Sequence, residues 1–216
     1  RDPWDTTRTL HRYVLVDRSV PLPDALPEGT LVRTPLRRVV VYSSAHCGML
    51  DELGLADRIV GVCESRFIDL PFVREGVSRG TVADLGEASS PDVERMIEIA
   101  PEAVIASPLE NTGYGRVEKT GIPIVECVDY MENSPLGRAE WVRFMALFFE
   151  RMPTADSLFG ATVAAYDSLR RLAAGATDRP QVLTERKYGA SWYVPGGRSY
   201  MACLLRDAGA DPIWSE

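Results

Sequence analysis

Between residues 37 and 127 the chain alternates short apolar runs with segments whose apolar positions recur three or four apart. "RRVVVYSS" is a β-branched run ending at Ser44. "AHCGMLDELGL" then places Cys47, Leu50 and Leu53 on one helical face before Gly54. "RIVGVCE" reads as a second buried strand, and "SSPDVERMIEIAPEAVIAS" as a helix running into a third. In that segment Ser90 is placed to cap, Pro91 suits the first helical position, and Asp92 and Glu94 favour the positive helix end. Val93, Met96, Ile97 and Ala100 form an apolar face that Pro101 terminates. "GRVEKTGIPIVEC" repeats the unit, with Gly121 after a short helix and a strand over 122–127. Apolar strands separated by helices predict an α/β fold, a mostly parallel sheet covered on both faces.

From residue 134 the period becomes helical throughout. Ser134 is a cap, Pro135 opens the first turn, and Trp141, Phe144, Met145 and Phe148 share a face. Pro153 interrupts, and a long helix over 154–174 follows. About twenty helical residues span roughly 30 Å, enough to lead from one lobe to another. After "GATDRP", residues 181–216 read as strand, hairpin and helix. The predicted organisation is a β extension over 1–36, a three-layer α/β lobe over 37–150, an interlobe helix and linker over 151–180, and a partial second lobe over 181–216. Segments below about 40 residues rarely bury enough surface to stand alone. The last piece is therefore expected to be the opening of a larger lobe, and the chain a segment of a longer protein.

Composition narrows the partners. The 216 residues carry a formal net charge of −7 and lack the basic footprint that phosphate backbones require, which speaks against nucleic acid. No run of about 18 apolar residues occurs. Cys47, Cys63, Cys127 and Cys203 form no C-x-x-C pair and suit core positions.

Ligands of parallel α/β sheets bind outside the carboxyl ends of the strands. The residues expected there are Ser44-Ala45-His46, Glu64-Ser65-Arg66-Phe67, Leu85-Gly86-Glu87, the stretch from Pro108 to Tyr114, and Asp129-Tyr130-Met131. Each alone reads equally well as ordinary surface. Together on one edge, Ser44, His46, Arg66, Phe67, Glu87, Tyr114 and Tyr130 form a candidate binding rim. An enzyme is the competing class: Cys47 after a strand-to-helix turn could be a nucleophile, but no base is placed beside it, and its spacing with Leu50 favours burial. "GYG" at 113–115 lacks the third glycine of a dinucleotide loop. With only His11 and His46 as histidines, a cage for naked zinc is not available, though His46 could serve as an axial ligand to haem iron.

"RRVVVYSSAHCGMLDELG", "VADLGEASSPDVERMIEIAPEAVIAS", "GIPIVEC", the bridging helix and "SWYVPGGRSYMACLLRDAGAD" together resemble the periplasmic substrate-binding proteins of ABC importers for iron-siderophores, cobalamin and haem. The resemblance runs from about residue 4 to 216. It implies two α/β lobes joined by a rigid helix, a ligand held in the cleft between them, no enzymatic activity and no resident cofactor. It implies a cell-envelope location, with a lipid anchor possible upstream of residue 1. Trp192, Tyr193, Tyr200 and Arg198 then offer aromatic platforms and a cation to a flat or partly apolar chelate. The family docks on a membrane permease through exposed carboxylates, for which Glu110, Glu118 and Glu140 are the candidates.

Overall fold

A computed structural model describes residues 2–214. Arg1, Ser215 and Glu216, the outer ends of the 1–36 and 181–216 segments, lie outside the described residues. Contacts divide the chain into two units. The first runs to Val128 and includes Phe144–Met152; the second holds Asp129–Arg143 and the chain from Pro153 onward.

The first unit is built on five parallel strands: β3 (Val39–Val41), β4 (Ile59–Val62), β5 (Ala83–Asp84), β6 (Ala103–Ala106) and β7 (Ile124–Glu126). Their order is β5-β4-β3-β6-β7, each neighbouring pair parallel. Every residue of β3 and β6 is fully buried, as expected for strands covered on both faces. The crossovers carry α1 (Ser44–Glu52), α2 (Pro71–Arg79) and α3 (Val93–Glu98), while a 3-10 turn (Val117–Thr120) precedes β7. From β3 the chain steps outward through β4 to β5, then returns to the other side of β3 for β6 and β7. The sheet therefore reverses direction between β3 and β6, the position where open α/β sheets leave a crevice.

Two sequence expectations shift. α3 is capped by Asp92, whose side chain accepts from the Arg95 N–H at 2.9 Å, rather than by Ser90. Residues 88–91 instead turn across the strand ends, with Ser90 N–H bonded to Glu87 O and Asp92 N–H to Leu85 O. α2, opened by Pro71 and closed by Gly80 in the left-handed region, has no counterpart in the sequence reading.

The N-terminal extension is a parallel pair, β1 (Tyr13–Asp17) and β2 (Thr30–Thr34). Gly29 enters β2 at φ 152°, where an added Cβ would lie 2.8 Å from Arg12 O. The Tyr13 ring packs edge-on against Phe144 and Phe148. Its hydroxyl accepts from the Glu126 N–H at 2.8 Å, which ties the pair to the edge strand β7. Arg18 holds Glu102 through two bonds of 2.9 and 3.0 Å at the opposite ends of the strands.

The second unit contains part of α4 (Pro135–Leu147), nearly all of α5 (Met152–Ala174), and β8 (Gln181–Val182), α6 (Tyr200–Asp207) and β9 (Asp211–Pro212). Ser134 caps α4 by accepting from the Gly137 N–H at 2.9 Å. β8 and β9 pair in parallel on either side of α6 as a sheet of their own, separate from the five-stranded one. The Tyr166 hydroxyl donates to Asp207 at 2.7 Å and joins α5 to α6. The Arg138 guanidinium stacks 4.2 Å over the Tyr200 ring.

Candidate functional site

Tyr42 and Ser43 follow β3, Ser107 and Leu109 follow β6, and a cleft of about 660 Å³ opens over them at the switch point. Its other walls are the 88–91 turn and the 112–117 loop, so the whole cleft lies within the first unit. The rings of Tyr42 and Tyr114 pack onto the buried cluster of Val40, Met96 and Val104 and form an apolar floor. Burial pushes both phenols well above the usual tyrosine range, and at Tyr114 the Glu126 charge adds to the effect. They stay protonated at neutral pH.

Local sequence shapes the far wall. The Glu118 carboxylate accepts from the Tyr114 N–H at 2.6 Å and closes the loop below it. A Cβ on Gly113 would sit 2.6 Å from that same carboxylate oxygen, so glycine is what lets the carboxylate in. Arg116, on the cleft wall, is paired with Glu94 of α3. Glu64, at φ 52°, borders both this cleft and a smaller hollow of about 300 Å³ lined by Ser44 and Phe67.

Several residues expected at the rim do gather. Arg66 binds Glu87 through contacts of 2.7 and 3.2 Å and lies 4.7 Å over the exposed Phe67 ring. Tyr114 lines the main cleft and Ser44 the smaller one. His46 does not join them: it sits in α1 with no exposed surface, turned into the core by the helical period that also buries Cys47 and Leu50. It cannot reach a ligand or act as an axial haem ligand. Tyr130, Trp192, Tyr193 and Arg198 belong to the second unit. There Trp192 packs edge-on with Trp214 at 6.1 Å, Tyr193 is 77% exposed, Arg198 is exposed, and the Tyr130 carbonyl accepts from Arg138. Of the three carboxylates considered for docking, Glu110 is exposed on the loop after β6. Glu118 is committed to the Tyr114 backbone, and Glu140 pairs with Arg143 at 3.1 Å. Among the described residues no three His, Cys, Asp or Glu side chains converge to hold a metal ion.

Tyr42, Ser43, Ser89, Ser107 and Arg116 also line the cleft, beyond the rim residues expected from the sequence. The signal for Tyr42 and Ser43 was their place immediately after a central strand. Ser89 and Arg116 needed the fold of two loops.

A family profile described as periplasmic binding protein matches residues 39–216. The chain belongs to the periplasmic binding protein family. An uncharacterized lipoprotein of Methanocaldococcus jannaschii is 25% identical over 213 residues, covering 90% of this chain and 50% of its own length. The petrobactin-binding protein of Bacillus subtilis is 29% identical over 108 residues, 49% of this chain and 33% of that one. Its crystal structure superposes with a TM-score of 0.68 at 19% identity, covering 86% and 63% of the two chains. A possible iron-binding solute-binding protein of Staphylococcus epidermidis gives 0.69 at 18% identity, covering 84% and 69%. These structural likenesses establish a shared fold. This binding protein spans about half the length of the archaeal lipoproteins it matches. Its family is made of transport components rather than catalysts, and Cys47, fully buried and with its thiol pushed up to about 12 by burial, is no nucleophile.

Proposed function

We propose that this chain is the ligand-capturing part of a substrate-binding protein serving an ABC importer at the cell envelope, and that its cargo is a metal chelate: an iron-siderophore, a corrinoid or a haem. The observation that carries the reading is the cleft of about 660 Å³ at the switch point, floored by Tyr42 and Tyr114 and edged by Ser43, Ser89, Ser90 and Ser107. Its volume lies within the range of small-molecule sites, and its mixture of aromatic floor and hydroxyl rim suits a ligand with apolar faces and oxygen-rich edges. Two similar proteins, one petrobactin-binding and one described as possibly iron-binding, support that class. Delivery to a membrane permease uses Glu110, exposed on a loop whose Leu109 and Thr112 border the cleft.

Titration with a panel of ferric siderophores, cyanocobalamin and haemin, followed by tryptophan quenching and calorimetry, tests this. At least one chelate is expected to saturate a single site and raise Tm. Response only to free metal, a sugar or a peptide would discard the reading. In a reconstituted importer carrying the whole binding protein, Glu110→Lys is expected to lower uptake without changing chelate affinity. Loss of affinity with uptake per bound ligand intact would move Glu110 from docking to the pocket.

A further inference from the structure

The cleft is short of free positive charge. Among the described residues its one cationic wall residue, Arg116, is already paired with Glu94. At the adjoining edge Arg66 is paired with Glu87, and the Glu64 and Asp84 charges also act on it. Glu64 itself lines the cleft. Arg66 and Arg116 hold the Glu87 and Glu94 carboxyls below the usual carboxylate range, so both are ionised at neutral pH. The remaining polar groups of the wall are uncharged hydroxyls: Ser43, Ser89, Ser90, Ser107 and Thr112. Hydroxyls both donate and accept, which matches carbonyl, amide and hydroxamate oxygens. A carboxylate- or catecholate-rimmed chelate would have to compete for Arg66 or Arg116 and would still face the carboxylates it displaced.

Resting on the reading of this cleft as a chelate site, we propose that it selects its cargo by charge: it takes chelates of zero or positive net charge, rimmed by amide or hydroxamate oxygens, and disfavours polyanionic ones. Three ligand charges facing one uncompensated carboxylate across about 8 Å of water correspond to roughly a tenfold loss of affinity at low salt. Salt should erode that difference, because the carboxylates at this mouth are solvent-exposed.

The test uses the unmodified protein and three iron chelates of different charge: cationic ferrioxamine B, neutral ferrichrome and trianionic ferric enterobactin, with uncharged cyanocobalamin and anionic haemin alongside. Affinities are measured at about 20 and about 500 mM NaCl. The uncharged or cationic ligands are expected to bind at least about tenfold tighter than the anionic ones at low salt. Added salt is expected to weaken the cationic ligand and to leave unchanged or strengthen the anionic ones. In the Glu64→Gln/Glu94→Gln variant, with folding checked by Tm, the gap is expected to close by about tenfold. Tightest binding by ferric enterobactin or haemin, or anionic affinity that falls as salt rises, overturns charge selection while leaving the chelate-binding reading intact. Failure of every chelate to bind overturns that reading and this inference with it.

Discussion

The two units handle similar apolar content in opposite ways. In the first, Val39–Val41 and Ala103–Ala106 have no exposed surface, and Cys63, Met96 and Val117 complete a core beneath the cleft. In the second, Leu169 is 66% exposed, Leu172 73% and Tyr193 77%, while its described strands are two residues each. A parallel sheet of five strands covers central strands from both sides. A pair of two-residue strands around one helix covers almost nothing. The difference places the continuous apolar core under the cleft of the first unit, whereas the second unit leaves apolar and aromatic groups exposed in the described residues.

Thiol labelling is the largest expected separation of the two. Cys203 in the second unit is partly exposed, while Cys47 and Cys63 are buried and their thiols are pushed up to about 12 by burial. At neutral pH, iodoacetamide followed by peptide mass analysis is expected to modify Cys203 at least on the order of a hundredfold faster than the other two. Comparable rates would mean that the first unit opens as readily as the second.

Truncation gives the next effect. Ile105→Ala, in the fully buried centre of β6, is expected to cost about 3 kcal/mol in urea unfolding, as large-to-small core changes do. Leu172→Ala, on an exposed helix face, is expected to stay within about 0.5 kcal/mol. A large cost for Leu172→Ala would show that its face is covered in solution, and the contrast between the units would shrink.

The smallest effect is in pH. Burial acts to raise the Glu102 carboxyl, but the Arg18 guanidinium and the Arg37 and Arg38 backbone outweigh it, leaving the group below its ordinary value. A lowered folded-state value means the contribution is complete above the unfolded value near 4.5 and is lost as pH falls through the folded one. Urea midpoints recorded from pH 6 downward, against Glu102→Gln, are expected to show the wild type losing its advantage only below about pH 4.5. An equal slope in both proteins would assign the acid sensitivity elsewhere in the first unit.

Much of the fold was legible because burial on both faces demands unbroken β-branched or small apolar runs, and "VVV", "IVGV" and "AVIA" have them. The start of α4 was equally plain, since Ser134 and Pro135 act within one turn of the bond they make. At the start of α3 both Ser90 and Asp92 are residues that can cap. The choice fell to Asp92 once the backbone of 88–91 was drawn across the strand ends by its bonds to Leu85 and Glu87. The pairing of Arg66 with Glu87 joins residues 21 apart, at a distance no local pattern specifies.

By itself, the sequence determined the parallel α/β class, the long helix now seen as Met152–Ala174, and the polar strand ends where a ligand site belongs. These follow from periodicity and from the rule that parallel strands end together on one edge. Only the tertiary structure decided that the order reverses between β3 and β6, because strand order depends on crossovers rather than on any strand's own residues. It alone turned His46 inward and Tyr42 to the cleft, since a residue's face is set by the exact phase of its helix or strand against the sheet. The charge of the cleft is likewise a tertiary property. Arg116 and Glu94 are 22 residues apart, and no local pattern specifies their pairing.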